Sequence, residues 1–188
     1  MAWKDERVIR ANRLAWLLVD PQASSQVTPR GVFVDEARID GGLDLVATKV
    51  PFPIRISHSS FTNSIDLRRA SLRILDLEGS HIKGLVGDGL NVERDVFLWC
   101  GFKSEGQFSL LSATIGGALV CTDGQFLNRQ GFALLAEGAK IGGTFFMNGG
   151  FRAEGEVRPL NAAIIENFEC NGGAFLNEKG LALNSGFR

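Results

Sequence analysis

The sequence predicts an all-β fold, a right-handed parallel β-helix of about seven coils over residues 31–188, preceded by an N-terminal capping α-helix and a linker over residues 1–30. Three observations support this prediction. The helical spacing of apolar residues ends before residue 31, and large apolar residues then recur every 10 to 15 positions. A small residue stands two positions before almost every one of them. Parallel connections are nearly always right-handed, which sets the expected handedness.

The capping helix is predicted over residues 3–19. Val8, Leu14 and Leu18 fall on one face at helical spacing, and this face can cover the first coil. The residue before a proline resists the α conformation, so the helix should end before Pro21.

The repeat is a pair of inward-facing residues, one small and one large, two positions apart. Alternate side chains of a strand point to the same face, so the large residue fills the tube and the small one leaves it room. The residue two positions before is small in twelve of thirteen pairs, and only Leu90 breaks the rule. By this rule Cys100 is a core residue. The large residues are Ile39, Val50, Phe61, Leu72, Ile82, Val92, Phe102, Ile115, Phe126, Ile141, Phe151, Ile164 and Phe175.

Four polar stretches that end in glycine interrupt the later coils. Each is expected to form an enlarged turn, in which the glycine supplies a positive φ. The four stretches are residues 103–106, 127–131, 152–155 and 177–180.

Residues 113–117 and 139–143 both read Ala-x-Ile-Gly-Gly. On this pattern the chain resembles pentapeptide-repeat proteins over roughly residues 35–188, although the Asp or Asn of that family before the central residue is mostly missing. The resemblance implies a β-helix and, as in some members, a nucleic-acid mimic that binds topoisomerase.

A closer similarity is to a bacterial group with degenerate Gly-rich β-helical repeats. Residues 27–31, 37–45 and 150–157 carry it. Members are sometimes labelled membrane-associated oxidoreductase, but the sequence contains no dinucleotide motif, haem motif or redox cysteine pair.

Composition excludes several function classes. The net charge of -1, from 20 basic and 21 acidic residues, argues against nucleic-acid binding and against a strongly acidic mimic. No apolar run is long enough for a transmembrane segment. An odd count of 3 cysteines indicates a reducing compartment, and we expect a cytoplasmic protein without cofactors.

Asp44 and Asp66 are the first candidate site. They are 22 positions apart and should stack on adjacent coils, where two carboxylates could bind Ca²⁺ or act as a general acid and base. The alternative, which we favour, is a solvated pair balanced by Arg68 or Arg69.

The remaining reactive side chains favour structural roles. His58 and His81 have no third ligand nearby in the sequence, so we expect them to face solvent rather than hold a metal ion. Cys121, Met147 and Cys170 each follow a large core residue by six positions, and this spacing predicts a core row rather than redox chemistry.

Two interaction surfaces are predicted. Trp99 alternates with core residues and should face outward, where an aromatic side chain can mark a partner surface, although a lone surface aromatic is the commoner case. The last coil has no predicted cap, so either the chain is a fragment of a longer protein or another copy covers this coil. Of the two, we expect an end-to-end homodimer through Phe175, Leu181 and Leu183.

The sequence identifies no catalytic, cofactor-binding or metal-binding residue. The leading hypothesis is therefore a non-enzymatic scaffold or protein-interaction module with an unknown partner. The first alternative is a β-helix enzyme or carbohydrate-binding protein that uses an outer face. The second is the topoisomerase-binding nucleic-acid mimic.

Overall fold

The computed structural model describes residues 7–186, which form a parallel β-solenoid of about seven turns. Each turn has four sides, because four short strands follow one another around the tube before the chain reaches the next level. Neighbouring strands on every side are parallel. The predicted all-β class and the number of coils are confirmed.

The strands are numbered along the chain and grouped by side. Side one contains β1 (Val8–Arg10), β3 (Arg38–Asp40), β7 (Ser60–Phe61), β11 (His81–Ile82), β15 (Lys103–Ser104), the first parts of β19 (Gln125–Leu135) and β22 (Arg152–Arg158), and β25 (Ala174–Leu176). Side two contains β4 (Leu43–Asp44), β8 (Ile65–Asp66), β12 (Leu85–Val86), β16 (Phe108–Ser109) and the second parts of β19 and β22. Side three contains β5 (Lys49–Val50), β9 (Ser71–Leu72), β13 (Asn91–Val92), β17 (Thr114–Ile115), β20 (Lys140–Ile141) and β23 (Ala163–Ile164). Side four contains β2 (Val32–Asp35), β6 (Ile54–Ser57), β10 (Leu75–Asp76), β14 (Val96–Phe97), β18 (Leu119–Val120), β21 (Phe145–Phe146) and β24 (Phe168–Glu169).

The N-terminal cap consists of a short strand followed by a helix. Helix α1 spans Ala11–Val19 and buries Leu14 and Leu18 against the first coil, as predicted. The predicted start at residue 3 was wrong for the described part, because Val8–Arg10 form β1; residues 3–6 lie outside the described residues.

Strand β1 pairs with the outer edge of β3, with Ile9 opposite Ile39. An open strand edge carries unpaired N–H and C=O groups, and pairing with β1 satisfies them better than a longer helix would. Val8 is 38% exposed as a consequence, rather than packed over the core as expected.

Asp20 separates two helices. It ends α1, and its carboxylate then accepts hydrogen bonds from the backbone N–H groups of Gln22 (3.0 Å) and Ala23 (2.9 Å). Pro21 occupies the first turn of the helix α2 (Pro21–Ser24), where the missing N–H costs nothing. The segment expected as a linker thus begins with a short capped helix.

The inward row of side three follows the predicted repeat. Its large residues lie in register from coil to coil, which confirms the expected ladder there. The row consists of Val50, Leu72, Val92, Ile115, Ile141 and Ile164.

On side one the small and large residues exchange places in alternate coils. Ser104 lies opposite both Ile82 and Phe126, and Ala153 lies opposite both Phe126 and Phe175. Phe102, two positions before Ser104, therefore occupies the place expected for a small residue.

The cause is one extra residue in the preceding corner. Leu98 and Ser104 are six positions apart, whereas Leu77 and Ile82, one coil earlier, are five apart. Cys100 and Gly101 absorb the extra length with consecutive positive φ angles of 51° and 84°. Cys100 is exposed at this corner, so its predicted core position was wrong.

The exchange builds a column of phenylalanines inside the tube. The ring centroids of Phe102, Phe126, Phe151 and Phe175 follow one another at 5.5, 5.5 and 5.2 Å in tilted contact. Gly124 makes room for this column, because a Cβ there would lie 3.1 Å from the ring of Phe126. Placing each Phe beside a small residue of the next coil fills the tube without overpacking.

The predicted Cys-Met row lies in the core of side four. Cys121 and Met147 are fully buried, and Cys170 is half-buried in the last coil. The strands that carry them are in register, and all three cysteines of the chain are free thiols. Burial raises the pKa of the Cys121 thiol, which suits a packing role.

We predict that Phe126→Ala lowers the free energy of unfolding by about 3–5 kcal/mol, because removal of a fully buried ring leaves a cavity in the column. Phe33→Ala is the matched control, since that ring is 67% exposed and its loss should change stability by less than about 0.5 kcal/mol. Urea denaturation of both variants measures the difference. Equal effects would contradict the inward position of Phe126.

Candidate functional site

The corner between sides one and two carries two true insertions. In an ordinary coil the inward residues on either side of this corner are four positions apart, as Ile39 and Leu43 are. Phe126 and Leu134 are eight positions apart. The chain between them bulges outward as loop one, residues 127–132.

The second insertion has the same length. Phe175 and Leu183 are also eight positions apart, and residues 176–181 form loop two. The stretches 103–106 and 152–155 make corners of ordinary length instead, since Ser104 and Phe108 are four apart. The expectation of an enlarged turn was therefore wrong for these two.

Both loops are closed by the same contact. The side-chain Nδ2 of Asn128 donates to the backbone oxygen of Phe132 (2.9 Å), and Asn177 donates in the same way to Leu181 (2.8 Å). The shared sequence is Leu-Asn-x-x-Gly followed by an apolar residue, 49 positions apart. This repeated pattern in the sequence would have predicted that the two loops have the same conformation.

A single short corner separates the loops, and Gly155 lies in it. Gly155 has a φ of 122°, and a Cβ there would lie 2.2 Å from the backbone oxygen of Asn128. Only glycine fits below loop one. The loops protrude on either side of this corner and enclose a corner cleft of about 350 Å³. The cleft is lined by Arg129, Gln130, Arg152, Glu154, Gly155, Leu176, Asn177, Glu178 and Lys179.

Glu154 anchors the charges of the corner cleft. Arg129 donates to one of its carboxylate oxygens, and Arg152 donates to the other through Nη2 (2.7 Å) and Nε (3.1 Å). The hydrogen bond from Arg129, followed by those from Arg152, lowers the pKa of Glu154 to about 2. Lys179 of loop two donates to the side-chain oxygen of Gln130 in loop one and so bridges the loops.

His81 belongs to a similar charge network two coils earlier on side one. Glu105 accepts hydrogen bonds from Lys83 (2.5 Å) and Lys103 (3.0 Å), and the Nε2 of His81 lies 2.9 Å from one of its oxygens without forming a hydrogen bond. The contact with Lys83, then that with Lys103, lowers the pKa of Glu105 to about 2. The corner beside this network is short and has no loop.

Both histidines lie on the outer surface. His58 forms a hydrogen bond with the Asp35 carboxylate (3.0 Å), and the Nε2 of His81 lies 2.9 Å from a Glu105 oxygen. Within residues 7–186, no group of three or more His, Cys, Asp or Glu side chains is placed to hold a metal ion.

Asp44 and Asp66 lie opposite each other on adjacent coils, as the spacing predicted. Arg68 binds Asp66 through Nε (2.9 Å) and Nη2 (2.6 Å) and lowers the pKa of its carboxyl group. Asp44 accepts the backbone N–H of Val46 at 2.9 Å. The Asp66 carboxylate is thus neutralised by Arg68, and the Asp44 carboxylate closes a turn.

Trp99 lies in the outward row of side four, next to Phe97. Its ring is half-buried, with the two ring centroids 5.3 Å apart. Its indole Nε1 is buried and has no hydrogen-bond partner among the described residues. The interaction surface at Trp99 stays a prediction.

No known protein family, curated protein or solved structure matches the chain. The repeat architecture is therefore established by the structure itself. None of the helices described in the structure is both long and apolar enough to span a membrane.

We predict that acid destabilises the protein between pH 4.5 and 2. Glu105 and Glu154 have pKa values of about 2 in the folded protein against an ordinary 4.5, so their ion pairs stabilise the fold above pH 4.5. This contribution disappears as the pH falls towards 2. Denaturation midpoints measured from pH 7 to pH 2 test the prediction.

The variant Glu154→Gln should lower stability at pH 7 and flatten the loss between pH 4.5 and 2. Glu93→Gln is the control, because the Glu93 side chain is 63% exposed and lies 4.0 Å from Arg94. An identical pH profile for wild type and Glu154→Gln would refute the role of the Glu154 ion pairs.

Proposed function

We propose that the protein is a non-enzymatic scaffold or protein-interaction module, built on a repeat of the pentapeptide type. The observation that supports this function best is the partial exposure of apolar side chains in the last coil of the described residues. Ile164, Phe168, Cys170 and Phe175 are only partly buried, whereas the residues in the same rows one coil earlier are fully buried.

The last coil also presents open backbone edges. Within residues 7–186, no strand pairs with the outer edges of β23 and β25. The opposite end of the tube is covered by α1 and β1. Open edges beside an apolar surface are a template for added strands, and they favour a protein partner at this end.

A second copy of the chain is the partner we propose. An apolar coil end is complementary to itself, and two copies related by a twofold axis would bury the same residues on both sides. The contact would include Phe175, Leu181 and Leu183, of which Leu181 is 63% exposed. Strands of the two copies would meet in antiparallel orientation across the axis.

The outward rows argue against nucleic-acid mimicry, which requires a stripe of carboxylates. On side two the row reads Asp44, Asp66, Val86, Ser109, Leu135 and Arg158. The outward row of side four is mostly apolar and has one basic and two acidic residues: Phe33, Arg55, Asp76, Phe97, Val120, Phe146 and Glu169. The mixed charge favours protein docking without nucleic acid, and the three free thiols favour a cytoplasmic location.

We predict a dimeric mass for the wild-type protein at high micromolar concentration in light scattering. Leu183→Lys should yield the monomeric mass, because it places a charge on the apolar end. Leu111→Lys is the control, since Leu111 is exposed on the wall of the tube and should leave the dimer intact.

Circular dichroism of both variants should match the wild-type spectrum. This comparison separates loss of the dimer from loss of the fold. A monomeric wild-type protein at high micromolar concentration would overturn the end-to-end dimer.

A further inference from the structure

We propose that the corner cleft between loops one and two binds a small oxyanion, which is a carboxylate, phosphate or sulfate group on a molecule about the size of one sugar ring. This site lies on the side of the tube. The observations that support it concern the lining of the corner cleft and not the end of the tube, although loop two supplies both Lys179 to the cleft and Leu181 to the proposed dimer contact.

The residues that line the corner cleft carry N–H donors that make no hydrogen bond within residues 7–186. Arg129 donates to Glu154 through Nε, and Arg152 through Nε and Nη2. Both Nη groups of Arg129 and the Nη1 of Arg152 have no acceptor within residues 7–186. Lys179 uses one of its three N–H donors, on Gln130. Guanidinium groups in a fixed orientation match the paired oxygens of an oxyanion.

The side chains that line the corner cleft also carry an excess of positive charge. Three cations, Arg129, Arg152 and Lys179, face two carboxylates, Glu154 and Glu178. Both arginines are held on Glu154, whose side chain is 13% exposed, and Lys179 is held only by a neutral amide. One positive charge is left without a counterion, and a bound anion would supply it.

The corner cleft is preorganised for a ligand. Each loop is closed by its asparagine, and Lys179 connects the two loops. These contacts reduce the conformational entropy that the two loops would lose on binding, which favours affinity. Leu176 is 44% exposed in the lining and offers an apolar contact to the carbon part of a ligand. The volume of about 350 Å³ fits a small molecule rather than a protein segment.

The network around Glu105 resembles that of Glu154 but lacks the two loops. It has the same arrangement of one carboxylate and several cations, but its corner is four positions long and has no protruding loop. The difference between the two places is the pair of loops. Lys103 therefore provides a matched control for Lys179: both are lysines on a charged surface, and only Lys179 lines the corner cleft.

Isothermal titration of the full chain with sodium phosphate, sodium sulfate, galacturonate and galactose tests the proposal. We expect millimolar binding of at least one of the three anions, no binding of neutral galactose, and weaker binding as salt is added. Preference for galacturonate identifies a sugar acid as the ligand class, and preference for phosphate or sulfate identifies an ester.

The variant Lys179→Gln should weaken anion binding about tenfold, Lys179→Arg should retain it, and Lys103→Gln should leave it unchanged. Melting temperatures of the three variants verify that they fold. Light scattering on the same samples measures the dimer separately. Failure of the oxyanion site is therefore distinguishable from failure of the end-to-end dimer. Equal anion binding by wild type and Lys179→Gln, equal binding of galactose, or no binding of any anion at 10 mM would overturn the oxyanion site.

Discussion

The backbone hydrogen bonds between parallel coils impose the constraint on which this molecule depends. Each coil must follow the outline of the coil below it, so every inward side chain lies directly on its counterpart one turn earlier. The tube is narrow, and its cross-section must be filled once in each coil. The column from Phe102 to Phe175 meets this requirement by exchanging large and small residues, and the extra residue at Cys100 and Gly101 makes the exchange possible.

The same constraint leaves the outer surface free to vary. Outward side chains are not required to fill space, so they stack into charge networks such as those of Glu105 and Glu154. Corners tolerate insertions when the strands on either side keep their register, as β19 and β22 do around loop one. A lengthened corner costs little because the closure entropy of a loop grows slowly with its length. Function in such a fold is therefore expected at corners and at the ends of the tube.

The components of the corner cleft were visible in the sequence, but their association was not. Polar stretches ending in Gly131 and Gly180 were identified as enlarged turns, and two of the four such stretches proved to be insertions. Arg129, Arg152 and Lys179 are far apart along the chain and converge only because the loops lie one coil on either side of Gly155. By contrast, the stacking of Asp44 on Asp66 followed from their spacing alone, since no insertion falls between them.

The sequence by itself determined the β-solenoid, its number of coils and the inward rows of side three, because these depend on a local period that each residue pair repeats. Only the tertiary structure decided the register at Phe102, the exposure of Cys100 and the strand at Val8. Each of these depends on which backbone edge or inward position is available in a neighbouring coil. Competition between distant parts of the chain settles such choices, and no local pattern in the sequence records the outcome.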